Sequence, residues 1–344
     1  MFCDMVYNLA SLNLSSFARW DENGVTVAGA ADGTSGTTFD RLNYNYGIYY
    51  TDDDILYIAD SANSRIILIG PNSTTAIRVI WQVLPSRALQ TPADVFVTRT
   101  SIYVIDASDF SVQKWSRDFS DSIIVAGTSG VKGNATDTMA FGSSYNIFVD
   151  KDGNVYVSDN ENNRVMRFLW NSTNGTEGVV VAGTGVGGIE ATQLNGPRGV
   201  FVTDDGTLYI ADSYNHRIQK WPQNATAGTS VAGTGAGGTG LSELSYPQTV
   251  VVDENGFMYI ADSGNNRIMR WGPNAGDGEC IVACTGVAGI ASNQLNEPNS
   301  IAFDWNGSLY VNDVGNRRVQ KFAILNETSI EFLFFVNIIS GCFR

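Results

Sequence analysis

The chain has 344 residues, 43% of them hydrophobic and only 16% charged, with 36 glycines and 8 prolines. That balance excludes a disordered chain and suits a globular protein of many short strands and tight turns. A net charge of −14, from 35 acidic and 21 basic side chains, argues for solubility and against nucleic acid or an anionic membrane as partner, because either needs a basic surface.

Residues 1–20 lack the basic start and continuous apolar run of a signal peptide. The stretch ARWDENGVTVAGA (18–30) then reads as the end of one strand followed by another. From residue 59 an eleven-residue phrase recurs six times: ADSANSRIILI (59–69), IDASDFSVQKW (105–115), SDNENNRVMRF (158–168), ADSYNHRIQKW (211–221), ADSGNNRIMRW (261–271) and NDVGNRRVQKF (312–322). The leading aspartates are Asp60, Asp106, Asp159, Asp212, Asp262 and Asp313, spaced by 46, 53, 53, 50 and 51 residues. A strand-rich repeat of this period predicts an all-β protein, a six-bladed β-propeller of four-stranded antiparallel blades.

Residues 196–235 show how one blade is written. Val200–Thr203 form an apolar innermost strand, Asp204, Asp205 and Gly206 a turn, Leu208–Ala211 a second strand, Arg217–Trp221 a third, and Val231 and Ala232 part of an outer one. The turn recurs as TDDD (51–54), KDG (151–153), ENG (254–256) and WNG (305–307). These isolated acidic pairs on different blades lack the alternating carboxylates and closing Glu of a calcium loop, so they read as hairpin turns. Within the phrase, Asp60 and Arg65, Asp159 and Arg164, Asp212 and Arg217, Asp262 and Arg267, and Asp313 and Arg318 are expected to clasp each turn, with the arginine reaching a carboxylate or the carbonyls of a neighbouring repeat. In the second unit Asp109 and Ser111 replace the Asn and Arg, which predicts a weaker clasp.

The phrase YIADSGNNRIMRW (259–271), preceded by a (V/I)xxDxxGxxY stretch and set among VAGTG loops, resembles the NHL repeat, and the resemblance covers roughly residues 20–322. It implies a six-bladed propeller that usually serves as a platform for protein partners and in some members for RNA, with amidating lyases and esterase-like propellers nearby. Zinc lyases of this shape use several histidines, whereas this chain has one, His216, at a variable position of its turn. The innermost strands GIYY (47–50), DVFV (94–97), NIFV (146–149), GVFV (199–202), TVVV (249–252) and SIAF (300–303) are apolar apart from Asp94 and Asn146 at their mouths. The expectation is therefore a non-catalytic module with no cofactor, no metal and no catalytic residue. The Cys/His arrays of RING and B-box modules are absent as well.

Sequons at Asn13, Asn72, Asn134, Asn171, Asn174, Asn224, Asn306 and Asn326 suggest N-glycosylation. Most follow a third strand or sit in a first turn, and those loops share one face of the disc. The opposite face, with the long glycine-rich loops, is then expected to bind a protein partner, with Tyr44, Tyr46, Tyr145, Arg198 and Tyr246 as candidate anchors. An extracellular or cell-surface monomer is the expected setting, and an intracellular scaffold is the alternative.

The ring is expected to close by the segment 18–30 completing the last blade beside Arg318–Phe322, although SIEFLFF (329–335) in the apolar tail 323–344 could claim the same slot. The tail's apolar run IEFLFFVNIISGCF (330–343) is too short for a ~20-residue membrane span and is interrupted by Asn337. Cys280 and Cys284 fall in one predicted strand, where four residues span ~13 Å, too far for a disulfide unless a bulge or break intervenes. Cys3 and Cys342, near the two ends, are an alternative pair.

Overall fold

The computed structural model describes residues 12–81 and 88–325. Their strands form six four-stranded antiparallel sheets, each a meander from the axis to the rim. In the fourth blade the order is Pro197–Val202, Leu208–Asp212, Arg217–Trp221 and Thr229–Ala232. The inner strands Asn45–Tyr50, Pro92–Val97, Ile147–Val149, Pro197–Val202, Pro247–Val252 and Pro298–Phe303 pack in sequence around one axis, and the sixth packs against the first. Four of them open on proline, tolerated at a strand's first residue because a ladder donor is dispensable there.

Apolar side chains on both sides of each inner sheet face bury one another between blades. Near the axis Tyr49 packs tilted on Phe96, and Phe96 meets Phe148 and Phe148 meets Phe201 edge-to-face, with ring centroids 4.8, 5.2 and 5.1 Å apart. Farther out the third strands carry Ile69, Trp115, Phe168, Trp221, Trp271 and Phe322 at or next to their ends, all buried. Large side chains contribute most to the free energy of burial, so one such residue per blade at the same register holds each sheet to its neighbour.

The repeated phrase is a clasp, as its residue types imply. Arg164 Nε donates to Asp159 Oδ2 at 2.8 Å, and its remaining N–H groups reach the carbonyls of Asn134, Ala135, Asp137 and Ala140 in the long loop entering the same blade. Asn162 and the amide of Gly142 complete the carboxylate's shell. Arg65–Asp60, Arg217–Asp212, Arg267–Asp262 and Arg318–Asp313 repeat the pair at 2.6–2.8 Å. The carboxylate is thus the arginine's own blade's, and the carbonyls belong to the connection from the preceding blade. In blade two Asp106 accepts only backbone amides, from Gln90, Thr91, Ser108 and Asp109, while Ser111 turns to Asp109.

The N-terminal segment closes the ring. Val25–Gly29 pairs antiparallel with Arg318–Phe322 as the outer strand of blade six, and Arg19–Trp20 pairs with Ile324–Leu325. Gly29 is obligatory there: its φ is +77°, and a Cβ would lie 2.4 Å from the carbonyl oxygen of Arg317. The competing segment 329–335 lies outside the described residues.

The bulge that a Cys280–Cys284 bond requires is present. Cys280 and Cys284 form a disulfide with Cα atoms 5.6 Å apart. The outer strand Glu279–Val282 carries a bulge between Cys280 and Val282 and then turns through Ala283 at φ +54°, so the four-residue separation is folded back and not extended. The corresponding position of blade four is Gly233 at φ +80°. Cys3 and Cys342 lie outside the described residues.

Candidate functional site

The strand register decides what meets at the axis. Tyr46, Ala93, Arg198, Gln248 and Asn299 are the second residues of their inner strands, and Tyr145 holds the matching place two residues before Ile147. They form the lip of the axial opening on the face of the D-S-x-N-x-R turns. The ring of Tyr46 lies 5.6 Å from that of Tyr145, and the guanidinium carbon of Arg198 lies 4.4 Å above Tyr145. Gln248 is fixed by donating to Tyr246 O and Ser213 Oγ, and Asn299 by accepting from Asn312. Burial pushes the Tyr46 phenol above its ordinary pKa.

One residue deeper lies Asp94, 5% exposed. Its Oδ2 accepts from Asn146 Nδ2 at 2.8 Å and from the Ile147 amide at 3.1 Å. Asn146 Oδ1 in turn accepts from the Val200 amide, and Ser300 Oγ from that of Ile48. Inner strands are thereby tied blade to blade by side chains at one level. Burial pushes the Asp94 carboxyl up to about 7, its hydrogen bonds only partly offsetting the desolvation. Gly47 makes room for it, since a Cβ there would fall 2.6 Å from Asp94 Cα. Asp94 and the lip residues line a cavity of about 20 Å³.

Three of the five singled-out anchors, Tyr46, Tyr145 and Arg198, are therefore brought together. The other two are not. Tyr246 packs on His216, 4.6 Å between centroids, and its amide donates to His216 Nδ1; Tyr214 lies 6.1 Å away. Tyr44 lies under Arg317 at 5.3 Å. Both tyrosines are about half exposed on the same face. Gln248 and Asn299 escaped the sequence reading, although their place directly after Pro247 and Pro298 matches that of Arg198 after Pro197.

The opposite face holds the larger cavity, about 560 Å³, over the inner strands of blades six, one and two. Tyr49, Phe303, Asp52, Arg117 and Trp305 line it, and Leu12–Leu14 form a wall. That wall is pinned where Asn255 donates to Asn13 and Leu14, and Trp20 Nε1 to Gly307 O. Asn13 and Asn306 stand among its lining residues. Asn72, Asn171, Asn174 and Asn224 occupy third-to-outer-strand loops, and Asn174 Oδ1 accepts from the Ser129 amide in the long loop before blade three, where Asn134 lies; all seven are exposed. Asn326 lies outside the described residues. Among the described residues no three His, Cys, Asp or Glu side chains converge in a metal-binding arrangement, and no helix is long and apolar enough to cross a membrane.

A closed ring of six four-stranded blades, five of them clasped by an Asp–Arg pair, defines the class as a repeat β-propeller. The NHL repeat model matches residues 194–221 and 295–322, which lie in the fourth and sixth blades. Two NHL repeats are thus matched within a six-bladed β-propeller. It is 24% identical over 193 residues to human NHL repeat-containing protein 3, covering 50% of this chain and 52% of that protein, so it spans about half the length of the curated relatives it matches. Among solved structures it resembles an auxiliary nutrient binding protein from Bacteroides thetaiotaomicron (15% identity, TM-score 0.65, 90% of this chain and 77% of that one). It also resembles a gluconolactonase from Xanthomonas campestris (12% identity, TM-score 0.59, 91% and 99%). At these identities the likeness is one of fold.

Proposed function

We propose that this chain is a non-catalytic recognition module that binds a protein partner through the face of the long loops and clasp turns, outside the cell or at its surface. The observation that carries the reading is the convergence of Tyr46, Tyr145 and Arg198 on the axial lip, with Tyr44, Tyr214 and Tyr246 exposed around it. Tyrosine and arginine are the side chains that most often anchor protein interfaces. Asn13 and Asn306 border the larger cavity of the other face, where glycans would crowd it and leave the lip unobstructed. The Cys280–Cys284 disulfide supports an oxidising compartment.

Two measurements test it. Mass spectrometry of the native protein should find N-glycans at several of Asn72, Asn171, Asn174, Asn224 and Asn306; unmodified asparagine at every site rejects the extracellular setting in favour of an intracellular scaffold. Capture of a binding partner should fall on Tyr46→Ala and Arg198→Ala, and unchanged recovery with both rejects the face. A second reading, a propeller hydrolase or lyase, draws on the gluconolactonase likeness and on the near-neutral carboxyl of Asp94 at the axial mouth. Turnover of a lactone that disappears in Asp94→Asn would favour it.

A further inference from the structure

The guanidinium of Arg198 is in an unusual position for a half-buried cation. Among the described residues it has no ion pair and no hydrogen-bond acceptor, and its Nε is buried without a partner. Withdrawing such a group from water is costly unless an acceptor replaces the lost hydration. The acidic neighbour Asp94 does not serve: its carboxylate is committed to Asn146 and Ile147. What holds Arg198 is the face of Tyr145 at 4.4 Å, itself backed by Tyr46. A guanidinium over a ring keeps its N–H edge available, and loses little side-chain freedom when an acceptor arrives. Asn299 adds a second donor at the lip, because its oxygen is already engaged by Asn312 and its amide nitrogen is not.

Size and charge narrow the ligand. The enclosed space between these groups is small, about 20 Å³, so only the tip of a ligand enters it while the rest stays outside the mouth. A planar two-oxygen anion fits the arginine fork. A polyanion would meet a protein of net charge −14. We propose that Arg198, backed by Tyr145 and Tyr46, receives a single carboxylate that the protein partner inserts into the axial mouth, from an Asp or Glu residue or from the partner's free carboxyl end. This rests on the partner-face reading above.

The test uses the full-length protein with 15N-labelled arginine side chains. The Arg198 Nε–Hε signal is assigned by its loss in Arg198→Lys and followed during titration with terminally blocked peptides carrying one internal Asp, the same peptides with Asn, and a peptide with a free terminal carboxylate. A saturable shift with a carboxylate peptide, absent with the Asn control and weakened at least tenfold for the Arg198→Lys protein by the peptide's own signals, supports the proposal. The internal-Asp and free-terminus arms say which source is read. No shift, an equal shift with the Asn peptide, or a larger shift with a uridine oligonucleotide at equal salt overturns it. Partner capture separates the two readings. Capture lost in Tyr246→Ala or Tyr46→Ala but unchanged in Arg198→Gln keeps the face and sinks the carboxylate, whereas capture unchanged in all three sinks the face itself.

Discussion

Arg318, in the third strand of blade six, donates through Nη1 to the carbonyl of Ala31, just past the N-terminal closing strand, at 3.1 Å. The same guanidinium binds Asp313 and the carbonyls of Ile290, Ala291 and Gln294, so one residue joins both ends of the ring to the loop that precedes its blade. A variant beginning at residue 31 should leave the edge of Arg318–Phe322 unpaired. It is expected to elute as soluble aggregate or to melt well below the full-length protein, and addition of a peptide spanning 18–30 should partly restore it. A monomer of unchanged melting temperature would show that closure does not depend on this strand.

The clasps make a sharper prediction at single residues. Arg164→Ala leaves Asp159 buried with its ion-pair partner gone, and should cost about 3–5 kcal/mol in denaturant unfolding. The equivalent change in blade two has already happened, because Ser111 stands where the arginine would be. Ser111→Ala should therefore cost about 1 kcal/mol or less beyond its lost hydrogen bond. Similar losses for both variants would contradict the assignment of Arg164 as the principal tie.

For the disulfide, the expectation follows from the backbone it spans. The double variant Cys280→Ser, Cys284→Ser should lose about 2 kcal/mol, the order given for closing so short a loop. Ala283 sits at φ +54°, where glycine is unstrained, so adding Ala283→Gly should recover part of the loss. Urea midpoints of the three proteins settle it, and no recovery would mean that the left-handed turn is not what the bridge supports.

Asp94 predicts a pH dependence. Its folded carboxyl titrates near 7, above the ordinary value of 3.8. The folded state therefore binds the proton more tightly than the unfolded one, and the stability from that proton is full below about pH 4 and lost as pH rises through about 7. The clasp aspartates Asp60, Asp159, Asp212, Asp262 and Asp313 are also raised by burial and act in the same direction. Asp94→Asn should flatten the fall in melting temperature between pH 5 and 8 that the parent shows. Parallel curves for the two proteins would remove Asp94 as its source.

The sequence by itself determined the fold, because its instructions are local. The phrase spacing, the Asp-Gly turns, the apolar inner strands and the segment 18–30 each specify a strand or turn within a few residues, and the ring follows by repetition. Even the clasp was legible, since Asp212 and Arg217 are five residues apart and face each other across one hairpin. Distance measured along an ideal strand failed at Cys280 and Cys284, where a bulge and a left-handed residue fold the backbone back on itself. Only the tertiary structure decided the site. Tyr46, Tyr145 and Arg198 come from three blades, and nothing local marks them as neighbours; Tyr246, equally prominent in the sequence, lies two residues before the lip position of its blade and packs on His216 instead. Which residues share the axis is fixed by strand register once the ring closes, a relation among positions more than fifty apart that no short stretch of sequence contains.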